Sequence, residues 1–468
     1  MPMAGVTGKG RTMDDQSYMK EKRVLPLVVT MSLPMVISML VNSLYNIVDS
    51  YFVAQVSESA MTALSLAFPL QNMISATGVG FGVGINAAVS YFLGAKMREQ
   101  ADRSATLGLL LAAAHGFVLF GAGVAVSEVF LRAFTDNEQT IAYGREYLVI
   151  VLSFAPVQTI AIALEKIYQA AGRMKTTMVC MAAGCVLNII LDPLFISGAG
   201  PIPAMGVRGA ALATGLGQSL SFACYIVTLP FVRLPVRFRP GRATSEKICR
   251  RLYLVGIPAT LNLALPSFLV TALNAVLAAF SETYILILGV YYKLQTFIYF
   301  TVSGIIQGIR PLVGYNLGAG RPDRVREIFR VALLFGLVIM AIGTVLCLAI
   351  PSVLMGLFTR SPATIGEGAV ALRIISAGFI VSALSVTIGG TYEGLGKGLP
   401  SLVISVIRYI VIIPVAALLS LPLQAAGVWH AFWVTELVAA VVSALMFRRY
   451  MRGILPPEKR SPARRAAE

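Results

Sequence analysis

The sequence YFLGA at residues 91–95 returns as YNLGA at residues 315–319, a shift of 224 positions. The same shift aligns five single residues and two further segments: Pro34 with Pro258, Gln71 with Gln295, Thr77 with Thr301, Gly80 with Gly304, Gly84 with Gly308, FT (134–135) with FT (358–359), and YQAAGR (168–173) with YEGLGK (392–397). Beyond these segments the shift becomes 221 and pairs GVRGA (206–210) with GVWHA (427–431). A shift that stays constant over about 160 residues indicates an internal duplication.

Both copies of the repeat are strongly apolar. The chain has 468 residues, of which 57% are hydrophobic and 13% charged, whereas soluble globular proteins carry about 25% charged residues. A helix needs about 20 apolar residues to cross the hydrocarbon core of a bilayer, and runs of that length predict an all-α integral membrane protein. We count twelve spans, near residues 24–54, 61–94, 104–130, 140–168, 176–198, 206–231, 252–280, 284–314, 327–352, 366–392, 399–420 and 427–447.

Each copy of the repeat holds six spans, and because six is even, both copies enter the membrane from the same side. Parallel repeats of this kind are related by an axis along the membrane normal, so the predicted fold is a V-shaped pair of six-helix lobes. Prolines inside the spans predict kinks or tilt, at Pro34, Pro69, Pro156 and Pro258. The predicted units are an N-terminal tail (1–23), an N-lobe (24–232), a basic linker (233–251), a C-lobe (252–447) and a C-terminal tail (448–468).

Lys and Arg are concentrated on one side of this arrangement. The tails and the even-numbered connections hold 28 of them, and the odd-numbered connections hold only Arg132 and Arg360. Because cytoplasmic loops collect Lys and Arg, we expect both termini in the cytoplasm and the protein in the inner or plasma membrane. This bias, together with attraction to anionic lipid heads, accounts for the net charge of +16 without a nucleic-acid partner.

The sequence argues against several other functions. The five cysteines lie in spans or in the basic loop, so no disulfide framework is predicted, and the first 23 residues do not resemble a cleaved signal peptide. The chain has no Walker motif, nucleophile elbow or His-Glu zinc motif, which disfavours an enzyme. Its two histidines, His115 and His430, do not suggest a metal site, and we interpret His115 as a packing residue. We expect no cofactor.

The spans also carry the motifs of a known family. Four segments resemble the multidrug and toxic compound extrusion (MATE) family: PMVISMLVNSLYNIVDSYFVA (34–54), the YFLGA and YNLGA pair, NIILDPLFI (188–196) and GVRGAALAT (206–214). The resemblance covers residues 24–450. It implies an antiporter that exports drug-like, often cationic or amphipathic compounds in exchange for H⁺ or Na⁺. We also expect a monomer surrounded by membrane lipids.

Acids inside the predicted membrane region are candidates for function, because an ionisable side chain at that depth costs at least about 3 kcal/mol. A helix rise of about 1.5 Å per residue places Asp49, Asp192 and Thr214 at similar depths in the outer half of the first repeat. Asn188 lies four residues before Asp192 and shares its helix face. Oxygen ligands of this kind suit a small cation, and two neighbouring carboxylates can instead hold a proton.

The family resemblance implies that Asp49, Asn188 and Asp192 bind the coupling cation, with Thr214 added from its GAALAT context. Alternatives remain open: Asp49 could cap a broken helix or reach the outer interface, Asp192 could form a turn before Pro193, and the two other polar side chains could serve helix packing. A shift of 224 maps Asp49 onto Leu273, Asp192 onto Ala416 and Asn188 onto Ile412. Acids present in only one copy of the repeat are hard to explain as framework.

The second repeat has its own charges near the midplane, at Lys293, Arg408 and Glu436. Similar estimated depths predict an ion pair between Arg408 and Glu436, which either satisfies itself or takes part in substrate binding or gating. Lys293 and Arg408 could also hold an anionic head group, so a flippase for a lipid-linked or anionic amphiphile is the alternative function. The candidate substrate cavity comprises Asn42, Tyr45, Asn46, Gln71, Lys293, Gln295, Arg408 and Glu436.

Overall fold

The computed structural model describes residues 16–198, 200–239, 241 and 245–454, so the ends of both predicted tails and part of the linker lie outside the described residues. The first eight helices are α1 (Tyr18–Glu21), α2 (Val24–Ala54), α3 (Glu58–Gly94), α4 (Arg98–Arg132), α5 (Glu138–Ser153), α6 (Ala155–Ala170), α7 (Met174–Ile196) and α8 (Val207–Val232). The others are α9 (Glu246–Ala278), α10 (Glu282–Gly318), α11 (Pro322–Ala349), α12 (Pro351–Gly356), α13 (Pro362–Ser376), α14 (Phe379–Gly394), α15 (Gly398–Val406), a π-helical turn (Ile407–Val411), α16 (Ile412–Leu423) and α17 (Ala425–Ile454).

The number of spans depends on two bent helix pairs. Within the described part of the chain, ten helical segments can each cross a membrane, and the pairs α5–α6 and α13–α14 raise the number to twelve if each pair is one span. The first pair bends by 47° just before Pro156, which lacks a backbone donor and disfavours helical geometry in the residue before it. The second bends by 51° at Ala377 and Gly378, where proline is absent. Equivalent spans of the two lobes are therefore broken by different residues.

The two lobes meet through reciprocal contacts. Gly94, at the end of α3, lies against the backbone carbonyl of Tyr315, and Gly318, at the end of α10, lies against the carbonyl of Tyr91. Each pair is converted into the other by the 224-residue shift. A Cβ atom on either glycine would overlap the facing carbonyl, so the contact requires glycine.

The same exchange recurs further along the interface. Gly80 packs against Thr260 while Gly304 packs against Val36, and Gly84 packs against the backbone of α9 at Leu252 while Gly308 packs against Ser32. Identical surfaces that contact each other reciprocally are the mark of a two-fold axis. The predicted parallel duplication, with its V-shaped pair of lobes, is therefore confirmed.

All of these contacts lie in the half of the bundle nearer the N-terminal segment. Residues 16–22 bridge the lobes there: the Tyr18 hydroxyl donates to the carbonyl of Gly172 at 3.2 Å, Asn316 Nδ2 donates to the carbonyl of Met19 at 3.0 Å, and Arg324 Nη2 donates to the carbonyl of Lys22 at 2.6 Å. We call this side the closed end.

His115 also contributes to the joint between the lobes. Its Nε2 lies 2.8 Å from the hydroxyl of Tyr253 on α9, and Phe81 packs edge-on against its ring with the centroids 4.7 Å apart. The interpretation of His115 as a packing residue is confirmed, with the addition that the packing joins the two lobes.

Candidate functional site

The polar cluster of the N-lobe is built where α7 and α8 approach most closely. Gly184 on α7 faces the carbonyl of Gly217 on α8, and Gly217 in turn faces the carbonyl of Gly184 and Cβ of Asn188. Small residues at a helix interface let the backbones approach closely. This approach puts the Asn188 and Asp192 face of α7 directly against Thr214 of α8.

These three side chains are almost completely buried, with exposed fractions of 0% for Asp192, 2% for Asn188 and 3% for Thr214. The Asn188 amide can donate to Thr214 Oγ1 at 3.4 Å. If the amide is rotated so that its nitrogen and oxygen exchange places, it donates to Asp192 Oδ2 at 2.9 Å and accepts from the backbone N–H of Thr214 at 3.0 Å. Because buried polar groups need partners, the second orientation fits the surroundings better and links all three residues.

Asp49 approaches the same cluster from α2. Its carboxyl group is close enough to that of Asp192 for the two to interact electrostatically. Among the described residues, one buried oxygen of each carboxyl group, Oδ1, has no hydrogen-bond partner. Two interacting carboxyl groups, each with an unpartnered buried oxygen, form a site that attracts a cation.

The local structure also decides two of the alternatives. Asp49 lies inside α2, which continues to Ala54, so it does not cap a helix. Asp192 lies inside α7, which continues through Pro193 to Ile196, so it does not begin a turn. Both acids are held on regular helices, which fix the direction of their side chains.

Two tyrosines complete the cluster. Tyr45, one turn before Asp49, interacts with Thr214 and with both carboxyl groups. Tyr147 on α5 is fully buried, interacts electrostatically with Asp49, Asp192 and Tyr45, and donates to Gln71 Oε1 at 3.1 Å. Tyr147 was missed at the sequence level, because a lone tyrosine in an apolar span carries no signal of its function.

The remaining cavity candidates of α2 lie apart from the carboxylates. Asn46 is exposed and donates to the carbonyl of Asn42 at 2.7 Å, a bond within the helix. Asn42 is half-buried and faces the thiol of Cys185. The structure therefore joins Tyr45 and Gln71 to the acid cluster but leaves Asn42 and Asn46 outside it.

In the C-lobe, the predicted ion pair between Arg408 and Glu436 is confirmed. Arg408 Nη2 donates to Glu436 Oε1 at 2.7 Å, and Arg408 Nε donates to Oε1 and Oε2 at 2.9 and 3.0 Å. Their side chains are 8% and 16% exposed. Arg408 also donates to the Tyr299 hydroxyl at 3.3 Å, and Ser385 donates to Glu436 Oε2 at 3.3 Å. Each charge of the pair is therefore satisfied by the other.

Lys293 does not join this pair. It is exposed, and its Nζ lies 5.7 Å from the centre of the Phe358 ring, in the connection after α12. The depth estimate placed it near Arg408, but the long side chain extends toward the connection after α12 instead. Gln295 donates to the Tyr291 hydroxyl at 2.6 Å and does not contact the ion pair.

Sequence reasoning missed a second charged network, at the junction of the lobes. Lys166 Nζ donates to Glu165 Oε1 at 2.6 Å and to Gln307 Oε1, on α10, at 3.0 Å. Gln169 Nε2 donates to the same Glu165 oxygen at 2.8 Å. The adjacent charges of Glu165 and Lys166 inside span four were the available signal. The network links α6 of one lobe to α10 of the other.

Arg310 and Glu393 form a third pair, within the C-lobe. Arg310 Nη2 and Glu393 Oε2 are 2.5 Å apart, and the other carboxylate oxygen accepts from Asn262 and Ser401 at 3.2 Å each. Both lobes thus contain buried ion pairs. Asp49 and Asp192 differ from these pairs, because among the described residues neither acid is paired with Lys or Arg.

These features define a class of protein: a two-lobe integral membrane protein, made from a duplicated six-span unit, with an acid cluster in one lobe and an ion pair in the other. The family model described as MatE matches residues 34–194 and again residues 258–418. The chain belongs to this family. The two matches begin 224 residues apart and end 224 residues apart, which agrees with the internal shift read from the sequence.

Curated relatives cover nearly the whole chain. The multidrug export protein MepA of Staphylococcus aureus (strain NCTC 8325 / PS 47) is 26% identical over 444 residues, which span 92% of this chain and 96% of that protein. The MepA protein of Staphylococcus saprophyticus is 25% identical over 438 residues, with the same two shares. The similarity therefore extends across both lobes.

Solved structures show the same fold. A crystal structure of MATE in complex with MaL6 superposes with a TM-score of 0.88 at 24% identity, over 94% of this chain and 99% of that one. An outward-facing structure of a multidrug resistance MATE family transporter of the MOP superfamily gives a TM-score of 0.88 at 24% identity, over 96% of this chain and 99% of that one. At this identity the likeness concerns the fold.

Proposed function

We propose that this protein is an ion-coupled antiporter that exports drug-like, mostly cationic or amphipathic organic compounds by alternating access. The observation that carries the proposal is the acid cluster of the N-lobe. Asp49 and Asp192 converge there, each with a buried unpartnered oxygen among the described residues. H⁺ or Na⁺ is the coupling ion, and no other cofactor is invoked.

The cluster supplies the chemistry that coupling needs. Two carboxylates repel each other and lose hydration where they face, and a proton on one of them, or Na⁺ between them, relieves both costs. The Asn188 amide, which contacts Asp192 and Thr214, and the Thr214 hydroxyl lie beside the carboxylates, and oxygen ligands of this kind suit a small cation. Only a difference in ion affinity between two conformations can drive a cycle, so the geometry of this cluster must change as the lobes rearrange.

Helix α2 provides a direct connection between the cluster and the closed end. Its first half packs against the C-lobe, where Ser32 and Val36 meet Gly308 and Gly304, and its second half carries Asp49. Pro34 lies at the packed half and lacks the donor for one helical hydrogen bond, which makes bending easier at that point. Ion binding at Asp49 is thereby linked to the contacts that close one end of the bundle.

The direction of transport follows from the predicted orientation. We place the protein in the inner or plasma membrane with both termini in the cytoplasm. The closed end then faces the cytoplasm, and this conformation opens to the outside. Release of the compound and entry of the ion belong to this state. We propose a monomer in contact with membrane lipids as the working unit, because each chain already supplies two lobes.

The substrate class is proposed from the relatives and from the charge of the cluster. Two relatives are named multidrug export proteins, and unpaired carboxylates favour cationic compounds. The flippase alternative loses its support, because Arg408 is already paired with Glu436 and Lys293 lies apart from it. Two free cations for an anionic head group are therefore not brought together.

The test is a transport assay in proteoliposomes with a Na⁺ gradient and a pH gradient imposed separately. A panel of fluorescent organic cations serves as substrate. We expect saturable movement of at least one cation, driven by at least one gradient and stopped when that gradient is collapsed. Gradient-independent flux, or flux of anionic lipid analogues in place of the cations, would overturn the proposal.

A further inference from the structure

We propose that the C-lobe contains a second cation site, and that the occupant of this site is the protein's own Arg408. The guanidinium group acts as a tethered cation that keeps the C-lobe permanently loaded, so that only the N-lobe responds to the coupling ion. The consequence for coupling rests on the proposed function. The existence of the site is argued from the contacts of Arg408 and Glu436 and does not depend on that function.

The internal duplication places the two sites in equivalent helices. Asp192 and Asn188 lie on α7, the fifth span, and Thr214 lies on α8, the sixth. Their counterparts in the C-lobe are the helices that carry Arg408 and Glu436. The 221-residue shift maps Thr214 onto Thr435, the neighbour of Glu436, and the 224-residue shift maps Gly184 onto Arg408. The ion pair thus lies on the helices equivalent to α7 and α8, with Arg408 about two helical turns from the position equivalent to Asp192.

In the N-lobe, glycines stand at the two positions where the C-lobe carries the charged residues. In the N-lobe, Gly184 lets α7 and α8 touch, and Gly215, the counterpart of Glu436, packs against the Phe154 ring. In the C-lobe the equivalent positions project a guanidinium and a carboxylate toward each other. One lobe therefore has close helix contact beside its acids, while the other has charge of both signs on the equivalent helices.

The backbone at Arg408 is unusual in a way that supports a dedicated role. Residues Ile407–Val411 form a π-helical turn between α15 and α16. Such turns are rare, insert an extra residue into a helix and occur frequently at functional sites. Here the turn carries Arg408, the residue that supplies the positive charge.

The surroundings of the guanidinium are those of a bound organic cation. Glu436 neutralises it, the Tyr299 hydroxyl accepts from it, and the rings of Tyr409 and Tyr299 lie 5.3 and 5.8 Å from its carbon. Carboxylate and aromatic faces are the two elements with which proteins bind organic cations. Thr435 Oγ1 is also buried beside Glu436 and has no partner among the described residues.

The site is also close to the joint of the lobes. Tyr299 lies five residues before Gly304, which packs against Val36 of α2, or roughly 7 Å along α10 at the rise of an α-helix. A free cation that bound and dissociated at this level would change the electrostatic field at the lobe interface. A tethered charge does not leave, and the C-lobe keeps one electrostatic state while the N-lobe alternates.

The experiment is to remove the tether and offer the free cation. Purified Arg408→Ala protein is heated in detergent with methylguanidinium chloride, and choline chloride at equal concentration controls for ionic strength. We expect methylguanidinium to raise the melting temperature of Arg408→Ala by roughly 2 °C at several times its Kd. Wild type, whose site is filled, and Arg408→Ala/Glu436→Gln, whose site lacks the carboxylate, should show no specific increase.

Equal responses of Arg408→Ala and the double variant, or a response of wild type as large as that of Arg408→Ala, would overturn the proposal. If Arg408→Ala does not stay folded, Arg408→Gln keeps most of the side-chain volume, and the same contrast with Arg408→Gln/Glu436→Gln decides. The measurement uses no ion gradient and no transported compound. A failed antiport assay therefore leaves its outcome unaffected, and the reverse also holds.

Discussion

The N-lobe and the C-lobe have the same order of spans and carry different charges on their fifth and sixth spans. The N-lobe brings Asp49 and Asp192 together around Asn188 and leaves a buried oxygen of each acid unpartnered among the described residues. The C-lobe brings Glu436 to Arg408 and satisfies both groups. The N-lobe cluster brings two acids together, whereas the C-lobe pairs its acid with a basic side chain.

This difference shows which parts of a duplicated fold can diverge. The contacts that join the lobes use the same residues in both copies, such as Gly94 and Gly318, because both copies must form one symmetric joint. Asp49, Asp192, Arg408 and Glu436 make none of these glycine contacts. Each lobe could therefore change its charges without disturbing the scaffold.

The largest expected effect tests the N-lobe. Asp192→Asn should abolish gradient-driven export in proteoliposomes, because the amide cannot carry the negative charge that binds the ion. Glu436→Gln, the matched change in the C-lobe, should keep the dependence on the gradient even where its yield falls. Normal expression of Asp192→Asn with unchanged gradient dependence would show that the acid cluster does not couple transport.

The next effect concerns the C-lobe pair. Arg408→Met should destabilise the protein by about 3–5 kcal/mol, because it leaves the half-buried carboxylate of Glu436 without a partner. The double variant Arg408→Met/Glu436→Gln should be more stable than Arg408→Met, because no charge remains unpaired. Thermal unfolding in detergent measures the difference. A double variant that is less stable than the single one would argue against the pair.

A smaller effect tests the symmetry of the joint. Gly94→Ala and Gly318→Ala should each lower stability by about 1–3 kcal/mol, because each added Cβ overlaps a backbone carbonyl of the other lobe. Gly121→Ala is the control, since no atom lies within 4 Å of its added Cβ among the neighbours described. The two joint variants should shift the melting temperature by similar amounts. Clearly unequal shifts would mean that the contact is not reciprocal.

The smallest effect sharpens the description of the acid cluster. Tyr147→Phe keeps the buried ring and removes the hydrogen bond to Gln71, a loss of about 1 kcal/mol. We expect the ion concentration for half-maximal transport to change by a few-fold. Tyr143→Phe, on the same helix with its hydroxyl 3.4 Å from Gln139, serves as the control and should behave as wild type.

Much of this comparison can be predicted from the sequence. The rise and period of a helix fix the depth and the face of each residue, so the spacing of Asn188 and Asp192 was enough to place them together. The same reasoning paired Arg408 with Glu436. The duplication, read from matched glycines and prolines, distinguished the residues shared by both copies from the acids that occur in one copy only.

What the sequence could not predict depends on contacts between distant helices. Tyr147 meets the acids only because α5 packs against α3 and α8 in three dimensions, which brings its side chain near Asp49 and Asp192. The bond from Lys166 to Gln307 crosses from one lobe to the other, and the bend at Gly378 has no proline to mark it. Lys293 was misplaced because a long, flexible side chain need not stay at the depth of its Cα atom.

The reciprocal contact of Gly94 with Tyr315 and of Gly318 with Tyr91 is also the contact that two identical chains would make. A six-span chain would make the same contact with a second copy of itself, because both partners bring one glycine and one carbonyl. Six spans give both copies the same orientation in the membrane, which a parallel homodimer needs. Joining two copies in one chain lets each half change independently, whereas a homodimer of identical six-span chains would carry the same residues in both of its ion sites.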